Sequence, residues 1–434
     1  MKNENTKPKA VVIVDGFSPG SFLAPRFRAQ KISCIHLLSR TALPEGCTAT
    51  RIIPSEKTNL PYGMTLIFDG DYNAVIRDLD AYSIIGVIPG TGIAVPHVDA
   101  LSERMGLPTN GTQLSMTRQN NYLMQTTVHN AGVPTKAFFC TDNEQDILAW
   151  AGSEDMKNVV IKPVSSTSTG EVTFCSSDEE ISRAFRDLVG TNHPSGDKNT
   201  KVLAEEQLDG IKFGVNTVSW DGKHRLAELW RYHNIRVQGA GRVYDSACLC
   251  DRPDEILMPL VRYAFKILDA LGIRYGPAHT EVMLTKKGPL IIDSVAQVTS
   301  DIPPDLIVTC AGQSQVDLTV QAYSDPVAFL AGIDTPYRIS RHMIQKYLIT
   351  GYDGAPSGEN STRDTVANLK NCVRGDLVSG ISDWHVHRTM DRMTGPANVF
   401  LIHKDERIVL ADYRAIREYE RNHEPVHPEG KPAS

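Results

Sequence analysis

Short apolar runs that alternate with helical segments constrain the fold of this chain more than any other feature. The runs AVVIV, KISCIHLLS, MTLIFD and SIIGVIPG have the length and composition of strands buried on both faces. The segments NAVIRDLDAY and HVDALSERMG, which follow two of these runs, have helical spacing. Strands that alternate with helices predict a parallel sheet covered by helices, so we expect an N-terminal α/β domain over residues 1–115.

The rest of the chain is predicted to mix helices with antiparallel strands, which makes the fold α/β and in part α+β. A helix from Ser115 to Ala131, the strands TKAFFC, NVVIKP and EVTFC, and the helix SDEEISRAFRDLVG form a subdomain over 116–200. The strands KVLAEEQLDG, IKFGVNTVSW and HRLAELWRYH and the helix EILMPLVRYAFKILDALG belong to a second subdomain, over 201–325. The short strands NVFLIH and RIVLADY are expected in a C-terminal subdomain over 326–434.

Charge and composition limit the classes of partner. The formal net charge of −6 is mild for 434 residues, so nothing in the composition indicates a nucleic-acid surface. No stretch is apolar over the length that a membrane span requires, and the polar start MKNENTKPKA does not resemble a secretion signal. We therefore expect a cytoplasmic protein with reduced thiols that interacts with neither nucleic acid nor membrane.

The segment GPAHTEVMLTKKGPLIIDSVAQ, residues 276–297, predicts a β-hairpin with two acids on one face. A three-residue loop over 286–288 would place Glu281 directly opposite Asp293. Opposed Cβ atoms lie about 4.5–5.5 Å apart, and two like charges at that range cost on the order of a few kcal/mol. A divalent cation between them would remove this cost, and Mg²⁺ favours such a site. The alternative is an exposed edge where both acids are hydrated.

Two further segments carry groups suited to a nucleotide. In VVIKPVSSTSTGEV, Lys162 ends an apolar strand and precedes small hydroxyl residues, whose backbone N–H groups could approach phosphates. In LAEEQLDG, residues 203–210, acids follow an apolar strand, where backbone groups could meet an adenine edge. Taken alone, an ordinary lysine at a strand end is the commoner explanation of the first segment, and an ordinary charged strand end explains the second segment equally well.

Taken in this order and spacing, the three segments resemble the ATP-grasp superfamily over about residues 115–325. PGSFLAPRFRAQ, LWRYHNIRVQGAGRVYD and AGQSQVDLTVQAYSDP extend the resemblance over most of the chain, and it is nearest to the L-amino-acid ligase (dipeptide synthetase) branch. The resemblance implies an ATP-grasp fold. It also implies transfer of the ATP γ-phosphate to a carboxylate, followed by attack of an amine and release of ADP and phosphate. The implied cofactors are ATP and Mg²⁺, with Mn²⁺ as an alternative ion.

The resemblance also implies roles for individual residues. Lys162 would hold the phosphates of ATP, with Ser168 and Thr169 in the loop that closes over them. Glu281 and Asp293 would bind the metal ion. A hinge that holds the adenine would consist of Glu205, Glu206, Gln207 and Leu208. Gln238 would lie near nucleotide and substrate, and His279 and Ser300 are candidates for contact with substrate. A hydrogen-bonded structural role for His279 is an open alternative.

Several positions depart from the pattern of the family. Asn121 stands where the family usually has a lysine that touches ATP, and Arg118 is the candidate for compensation. Lys212 stands where the family often has a ribose-binding glutamate. The second metal carboxylate is Asp293, where the family usually has glutamate.

Two departures concern catalysis and substrate. Gln297 replaces an arginine that would stabilise charge on the transferring phosphoryl group or the tetrahedral centre. Either Gln297 stabilises this charge as a neutral hydrogen-bond donor, and also contacts substrate, or an arginine elsewhere in the chain stabilises it. Gly92 stands where the branch often carries a substrate-binding glutamate, which argues against a simple free α-amino acid as the donor. The arginine candidates lie on the preceding strands, with Arg242 preferred: Arg231, Arg236 and Arg242.

Two functional hypotheses lead, since a third, another acyl-phosphate enzyme of the same fold such as a carboxylase-type subunit, is weakened by the absence of a biotin-attachment MKM. The first is an ADP-forming carboxylate–amine ligase that joins an amino acid or acylated amino acid to an amino acid, in peptide antibiotic biosynthesis. Its partners would be a small-molecule carboxylate donor, an amino-acid acceptor and a second copy of the chain in a homodimer. The second is an ATP-binding protein of the same fold that has lost catalysis, which the residues at 121, 212 and 297 would explain.

Overall fold

The computed structural model of the protein describes most of the chain. The described residues are 7–17, 19–39, 52–54, 62–154, 156–164, 172–191, 198–237, 241–251, 257–299, 302–349, 374, 376–379 and 398–422. Within these ranges the strands form three sheets. None of the helices found there combines the length and apolar character needed to cross a membrane.

The N-terminal unit is a five-stranded sheet, and it confirms the predicted α/β organisation. Its strands are β1 Lys9–Val14, β2 Ser33–Leu38, β3 Ile52–Pro54, β4 Met64–Ile67 and β5 Ser83–Pro89. They lie in the order β3-β4-β2-β1-β5, all parallel except β3, which runs antiparallel to β4. The helices of this unit are α1 Leu23–Ala29, α2 Tyr72–Asp78 and α3 Val95–Arg104.

Successive side chains of β1 fill two different cores, as expected for a strand that is buried on both faces. Val12 packs on the side of α2 and α3, whereas Ile13 packs on the opposite side with α1. That second side is completed from far along the chain by Val316 and Tyr323 of α9 (Gln315–Ser324). The N-terminal sheet is therefore closed by a helix that follows the central region.

A four-stranded antiparallel sheet follows, built from β6 Phe138–Thr141, β7 Val159–Pro163, β8 Thr173–Cys175 and β9 Val202–Glu206. The order is β6-β9-β7-β8. The helices of this region are α4 Asn121–Asn130, α5 Glu144–Ser153 and α6 Asp178–Leu188, the last two of which pack on the sheet. Strand β9 belongs to this sheet, so the unit continues to residue 206, beyond the predicted boundary at 200.

Side-chain caps fix where two helices of this region begin. Ser177 accepts a hydrogen bond from the backbone of Glu180 and starts α6, as the run SDEE predicts. Asn120 caps α4 by accepting from the backbone of Leu123. The single helix expected over 115–131 is therefore wrong: it is divided into a 3₁₀ turn at 115–118 and α4.

The largest sheet has eight strands in the order β14-β13-β10-β11-β12-β15-β17-β16. Their bounds are β10 Ile211–Trp220, β11 Lys223–Val237, β12 Gly241–Leu249, β13 Gly276–Thr285, β14 Gly288–Val295, β15 His342–Tyr347, β16 Asp376–Ser379 and β17 Asn398–His403. Helix α7 (Met258–Ala270) packs on β13 and β14, and α8 Pro304–Ala311 and α10 Pro326–Ala331 flank α9. The C-terminal strands extend this sheet instead of forming the separate unit expected over 326–434.

The segment RIVLADY is part of a helix, so the strand predicted there is wrong. It lies in α11 (Glu406–Asn422), where Val409 and Ile416 are seven residues apart on one buried face. The helix is fixed to the sheet by buried ion pairs. Lys346 of β15 lies 2.8 Å from Glu420, and Arg417 lies 3.3 Å from Asp245 of β12. Short apolar runs do not distinguish a strand from a helix, which explains the error.

The contact between α9 and the N-terminal sheet gives a testable prediction. A Cβ built at Gly86 would lie 2.3 Å from Cδ1 of Tyr323, inside a rigid aromatic ring. We expect Gly86→Ala to lower the free energy of unfolding by about 1–3 kcal/mol through overpacking. The control is Gly152→Ala in α5, where nothing lies within 4 Å of the added methyl group and a gain of up to about 1 kcal/mol is expected. Equal urea midpoints for the two variants would contradict this account.

Candidate active site

Glu281 on β13 is paired with Asp293 on β14, as the sequence predicts, but the turn between the strands differs from the expected one. Thr285 pairs with Gly288, so the loop has two residues and not three. The register then shifts by one residue between Glu281 and Val282, and this shift restores the pairing of the two acids. A local irregularity of this kind re-aims a side chain without breaking the sheet.

The ammonium group of Lys212 on β10 lies against Glu281. Lys212 Nζ is 2.8 Å from Glu281 Oε2 and donates a hydrogen bond of 2.5 Å to the hydroxyl of Tyr244. Its charge also lies 5.4 Å from the ring centre of Tyr232. Burial alone would raise the pKa of Glu281, but the ammonium group together with His279 outweighs burial and holds that pKa well below its usual range. Lys212, the departure from the family's glutamate, is therefore the direct partner of a predicted metal ligand.

A chain of buried polar groups positions His279 beside the acid pair. The Nδ1 atom of His279 lies 2.7 Å from Oδ1 of Asn216, and Nδ2 of the same asparagine donates to Glu228 at 2.8 Å. The other ring nitrogen of His279 faces Glu281 at 3.7 Å. Burial raises the pKa of Glu228 even though three donors oppose this, one of them the indole of Trp230. His279 therefore has the hydrogen-bonded structural role through Nδ1, while its Nε2 atom faces the acid pair.

Two lysines share one carboxylate at the opposite sheet. Lys162 of β7 lies 3.1 Å and Lys136 lies 2.7 Å from the two oxygens of Glu205 on β9, and all three side chains are at least nine-tenths buried. Burial would raise the pKa of Glu205, but the two ammonium groups together lower it. For Lys136 burial prevails and lowers the pKa, although Glu205 and Asp293 act in the other direction. One carboxylate cannot neutralise two cations, so the cluster has a surplus of positive charge.

Lys136 is the functional candidate that the sequence analysis missed. It lies in the extended link between α4 and β6, within the segment TKAFFC that the sequence predicts as a strand, and no ligand-binding motif marks it. Asp293 acts to raise the pKa of Lys136, which indicates that the lysine cluster and the acid pair are near enough to interact electrostatically. Lys136 therefore adds a second cation beside Lys162.

The predicted hinge connects the two sheets that carry these clusters. Glu206 ends β9 with its backbone N–H donating to Ala137 at 2.9 Å, and Gln207 donates to the carbonyl of Asn158 at 3.3 Å. Leu208 then lies in the link to β10, partly exposed. The side chain of Glu205 is turned to the lysines, and the N–H groups of Glu206 and Gln207 donate within the protein, so Leu208 carries the hinge N–H group that is left for a base.

Asn121 and Arg118 lie in different surroundings. The backbone N–H of Asn121 donates to Val164 at 2.6 Å, directly beyond Lys162, which places this residue at the base of the proposed phosphate loop. Arg118 is fully buried and pairs with Asp99 at 2.8 Å, and it also donates to the carbonyl of Leu271 at 2.8 Å. The structure does not support the expectation that Arg118 contacts nucleotide, because these structural contacts occupy its guanidinium.

Gln297 lies in a corner lined by neutral groups. A Cβ at Gly92 would lie 3.5 Å from Gln297 Oε1, and Gln119 donates to the carbonyl of Gly92 at 2.6 Å. The Oε1 atom of Gln297 is buried and accepts no hydrogen bond from the part of the chain that the structure describes. A buried acceptor without a donor is costly, so this atom is suited to an N–H group of a substrate.

Some candidates lie outside the described residues. These are Ser168, Thr169, Gln238 and Ser300, and their roles remain expectations. Arg242 lies at the start of β12 and Arg236 near the end of β11, but neither side chain is described. Arg231 is exposed on β11. The geometry thus brings together Lys162, Glu205, His279, Glu281 and Asp293 and adds Lys136 and Lys212.

The donor set is compatible with Mg²⁺ bound together with a nucleotide. Across the described ranges no group of three or more His, Cys, Asp or Glu side chains could hold a metal ion. Two opposed carboxylates are nevertheless present at Glu281 and Asp293. Mg²⁺ is commonly held by one or two carboxylates, water and substrate phosphates, so such an incomplete protein site fits it.

Comparison with known proteins defines the class. Residues 156–300 match the ATP-grasp domain family, a segment that runs from β7 through the hinge to the end of β14. It contains Lys162, Glu205, Glu281 and Asp293. The chain therefore carries an ATP-grasp domain, and the predicted fold is confirmed.

The individual relatives are ligases. The chain is 27% identical over 418 residues to dapdiamide A synthase of Enterobacter agglomerans, covering 95% of this chain and 96% of the relative. It is 23% identical over 199 residues to the L-arginine-specific L-amino acid ligase of Bacillus subtilis, covering 45% of this chain and 47% of the relative. Among solved structures, L-amino acid ligase from Bacillus licheniformis has a similar fold, with a TM-score of 0.68, 17% identity and coverage of 95% of this chain and 98% of that one. The resemblance to the L-amino-acid ligase branch is thus confirmed.

The shared carboxylate of the lysine cluster can be tested by a neutral replacement. Glu205→Gln would leave two buried ammonium groups without an anion, so we expect the free energy of unfolding at pH 7 to fall by about 3–5 kcal/mol. The neighbouring Glu206→Gln, on a half-exposed side chain, should cost less than about 0.5 kcal/mol.

The pH dependence of the same variant has a defined sign. The folded-state pKa of Glu205 is lowered, so its stabilising effect is complete above the unfolded value near 4.5 and is lost as the pH falls below it. Urea unfolding of the wild type and Glu205→Gln at pH 7 and at successively lower pH should therefore show a shrinking difference. A difference that grows on acidification would contradict the assignment.

Proposed function

We propose that the protein is an ADP-forming ligase that joins the carboxylate of an amino acid or acylated amino acid to the amine of an amino acid. The observation that carries this proposal is the arrangement of charges between two sheets. A buried lysine pair at 136 and 162 lies within electrostatic range of an acid pair at 281 and 293, and a short hinge connects the two sheets. Cations on one wall and metal-binding acids on the other are suited to a triphosphate.

The described residues would act on the nucleotide in three ways. Lys162 and Lys136 would bind phosphate oxygens through charge-assisted hydrogen bonds. Backbone groups of 206–208 would hold the adenine edge, while Glu281 and Asp293 would hold Mg²⁺ or Mn²⁺. The metal ion would neutralise charge that develops on the phosphates. Ser168 and Thr169 would close over the phosphates, and Gln238 would lie near nucleotide and substrate.

The proposed reaction has two steps. A carboxylate oxygen of the donor attacks the γ-phosphorus of ATP, the bond from that phosphorus to the β-phosphate oxygen breaks, and ADP leaves. The acceptor amine then attacks the acyl carbon, the amine loses a proton, and phosphate departs with a donor oxygen. Gln297, His279 and Ser300 would contact substrate, and Arg242 would stabilise the charge that develops.

Neutral groups at the Gln297 corner support a restricted class of donor. Gly92 offers no carboxylate to an ammonium group, and the free Oε1 atom of Gln297 requires an N–H donor. An acylated or amide-bearing amino acid meets both conditions better than a free α-amino acid. By analogy with the named relatives, we place the reaction in peptide antibiotic biosynthesis, carried out in the cytoplasm by a homodimer.

Isotope tracing tests the reaction type directly. The protein is incubated with ATP, Mg²⁺ and pools of amino acids and acylated amino acids whose carboxylates carry ¹⁸O. We expect ADP, a new amide and phosphate that contains one ¹⁸O atom, because the donor oxygen leaves with the phosphate. AMP among the products would indicate an adenylating ligase, and no nucleotide turnover with any pool would contradict the proposal.

The acid pair is tested by Glu281→Gln. We expect this change to lower kcat by about 10²–10³, because the metal ion contributes several kcal/mol of charge stabilisation. The control is Glu418→Gln, an exposed glutamate of α11, which should keep full activity. Unaltered turnover and an unaltered Mg²⁺ requirement in Glu281→Gln would show that the metal assignment is wrong.

The lysine pair is tested by Lys136→Met. Loss of a charge-assisted contact should weaken ATP binding about tenfold to a hundredfold, while Glu205 keeps Lys162 as its partner and the fold is retained. Lys157→Met, an exposed lysine next to the same sheet, is the matched control. Isothermal titration with a non-hydrolysable ATP analogue would contradict the role of Lys136 if both variants bound like the wild type.

One observation favours the second hypothesis, an ATP-binding protein that has lost catalysis. Lys212 already neutralises Glu281, which a catalytic metal would need. Equilibrium binding of ATP without product formation, under the conditions of the isotope experiment, would support that reading. Retention of both acids and of the lysine pair favours the ligase.

A further inference from the structure

Lys212 lies where the acid pair would receive a metal ion. Its ammonium group contacts Glu281 at 2.8 Å, and the side chains of Lys212 and Glu281 are 15% and 18% exposed. The diagonal position of Lys212 relative to Glu281 on neighbouring strands follows from the pairing of Gly214 with Glu281. A positive charge is therefore built into the carboxylate side of the site.

The surroundings hold this ammonium group in place. Tyr244 accepts its hydrogen bond, and the charge lies 5.1 Å and 5.4 Å from the ring centres of Tyr244 and Tyr232. Gly214 makes the arrangement possible, since a Cβ there would lie 2.9 Å from the hydroxyl of Tyr232 and 3.1 Å from the ring of His279. Several groups thus favour a cation at this position, beyond the one ion pair.

We propose that Lys212 is a resident cation that competes with a divalent ion for Glu281, so that metal enters this site with the nucleotide and not before it. This inference rests on the proposed function, because it takes Glu281 as a metal ligand. A free divalent ion would have to displace the ammonium group and replace its contact with Glu281. A metal–nucleotide complex brings phosphates that can take over the released ammonium group as their own counter-ion. Lys212 is in this sense a positioning residue that sets the order of binding.

Binding of Mn²⁺, followed by the electron paramagnetic resonance signal of the free ion, tests this competition without turnover. Wild-type protein should bind Mn²⁺ weakly alone and tightly with ADP. Lys212→Met should bind Mn²⁺ alone about tenfold more tightly, which corresponds to the loss of about 1.4 kcal/mol of competition. Lys212→Arg, which keeps a cation, should behave like the wild type. The matched control is Lys287→Met, the same change at an exposed lysine of the β13–β14 turn.

A second variant distinguishes the loss of charge from a folding defect in Lys212→Met. Lys212→Gln keeps a hydrogen-bond donor to Tyr244 and should show the same tightening, and circular dichroism verifies that both variants are folded. If folded Lys212→Met and Lys212→Gln bind Mn²⁺ no more tightly than the wild type, the proposal is wrong.

The double variant Lys212→Met/Glu281→Gln separates this proposal from the metal assignment. If the double variant lacks the tighter Mn²⁺ binding of Lys212→Met, both the competition and the metal assignment are supported. If Glu281→Gln alone weakens binding of Mn²⁺ with ADP while Lys212→Met changes nothing, the competition is refuted and the metal site stands. If Glu281→Gln has no effect on that binding, the metal site and the competition fall together.

Discussion

The contact of Glu205 with two lysines is the interaction on which the site depends. Burial of a charge is tolerated only when a partner is close, so Lys136, Lys162 and Glu205 must be brought together from the α4–β6 link, β7 and β9. That requirement fixes the inner strands of the four-stranded sheet relative to one another. It also leaves one cation more than the carboxylate can neutralise, within electrostatic range of Asp293. A surplus of this kind favours an anionic ligand.

Much of the fold could be predicted because it depends on local patterns. The strands β1, β2, β4 and β5 follow from apolar runs of strand length, and α6 follows from its Ser177 cap. Features set by distant pairing were not accessible. Strands β15 to β17 join the edge of the large sheet through β12, and α9 closes the N-terminal sheet. The segment 407–413 was misassigned because a run of seven residues does not show whether its face is helical or alternating.

The site could be predicted in part for the same reason. Opposed acids at 281 and 293 are encoded within one hairpin, and the pairing was right although a register shift, not a three-residue loop, produces it. Lys136 could not be found, because the segment TKAFFC indicates only a strand and the role of this lysine depends on Glu205, about seventy residues away. The expectation for Arg118 was wrong because its partners, Asp99 on α3 and the carbonyl of Leu271 far along the chain, are set by tertiary packing and not by a local pattern.

Each half of the site holds an internal counter-charge when no nucleotide is present. Glu205 partly neutralises the lysine pair, and Lys212 pairs with Glu281. A triphosphate with its metal ion offers partners to both halves at once: oxygens for the lysines and a divalent cation for the acids. The exchange of internal partners for external ones, at little net change in buried charge, is what would let a single ligand bring the two sheets together.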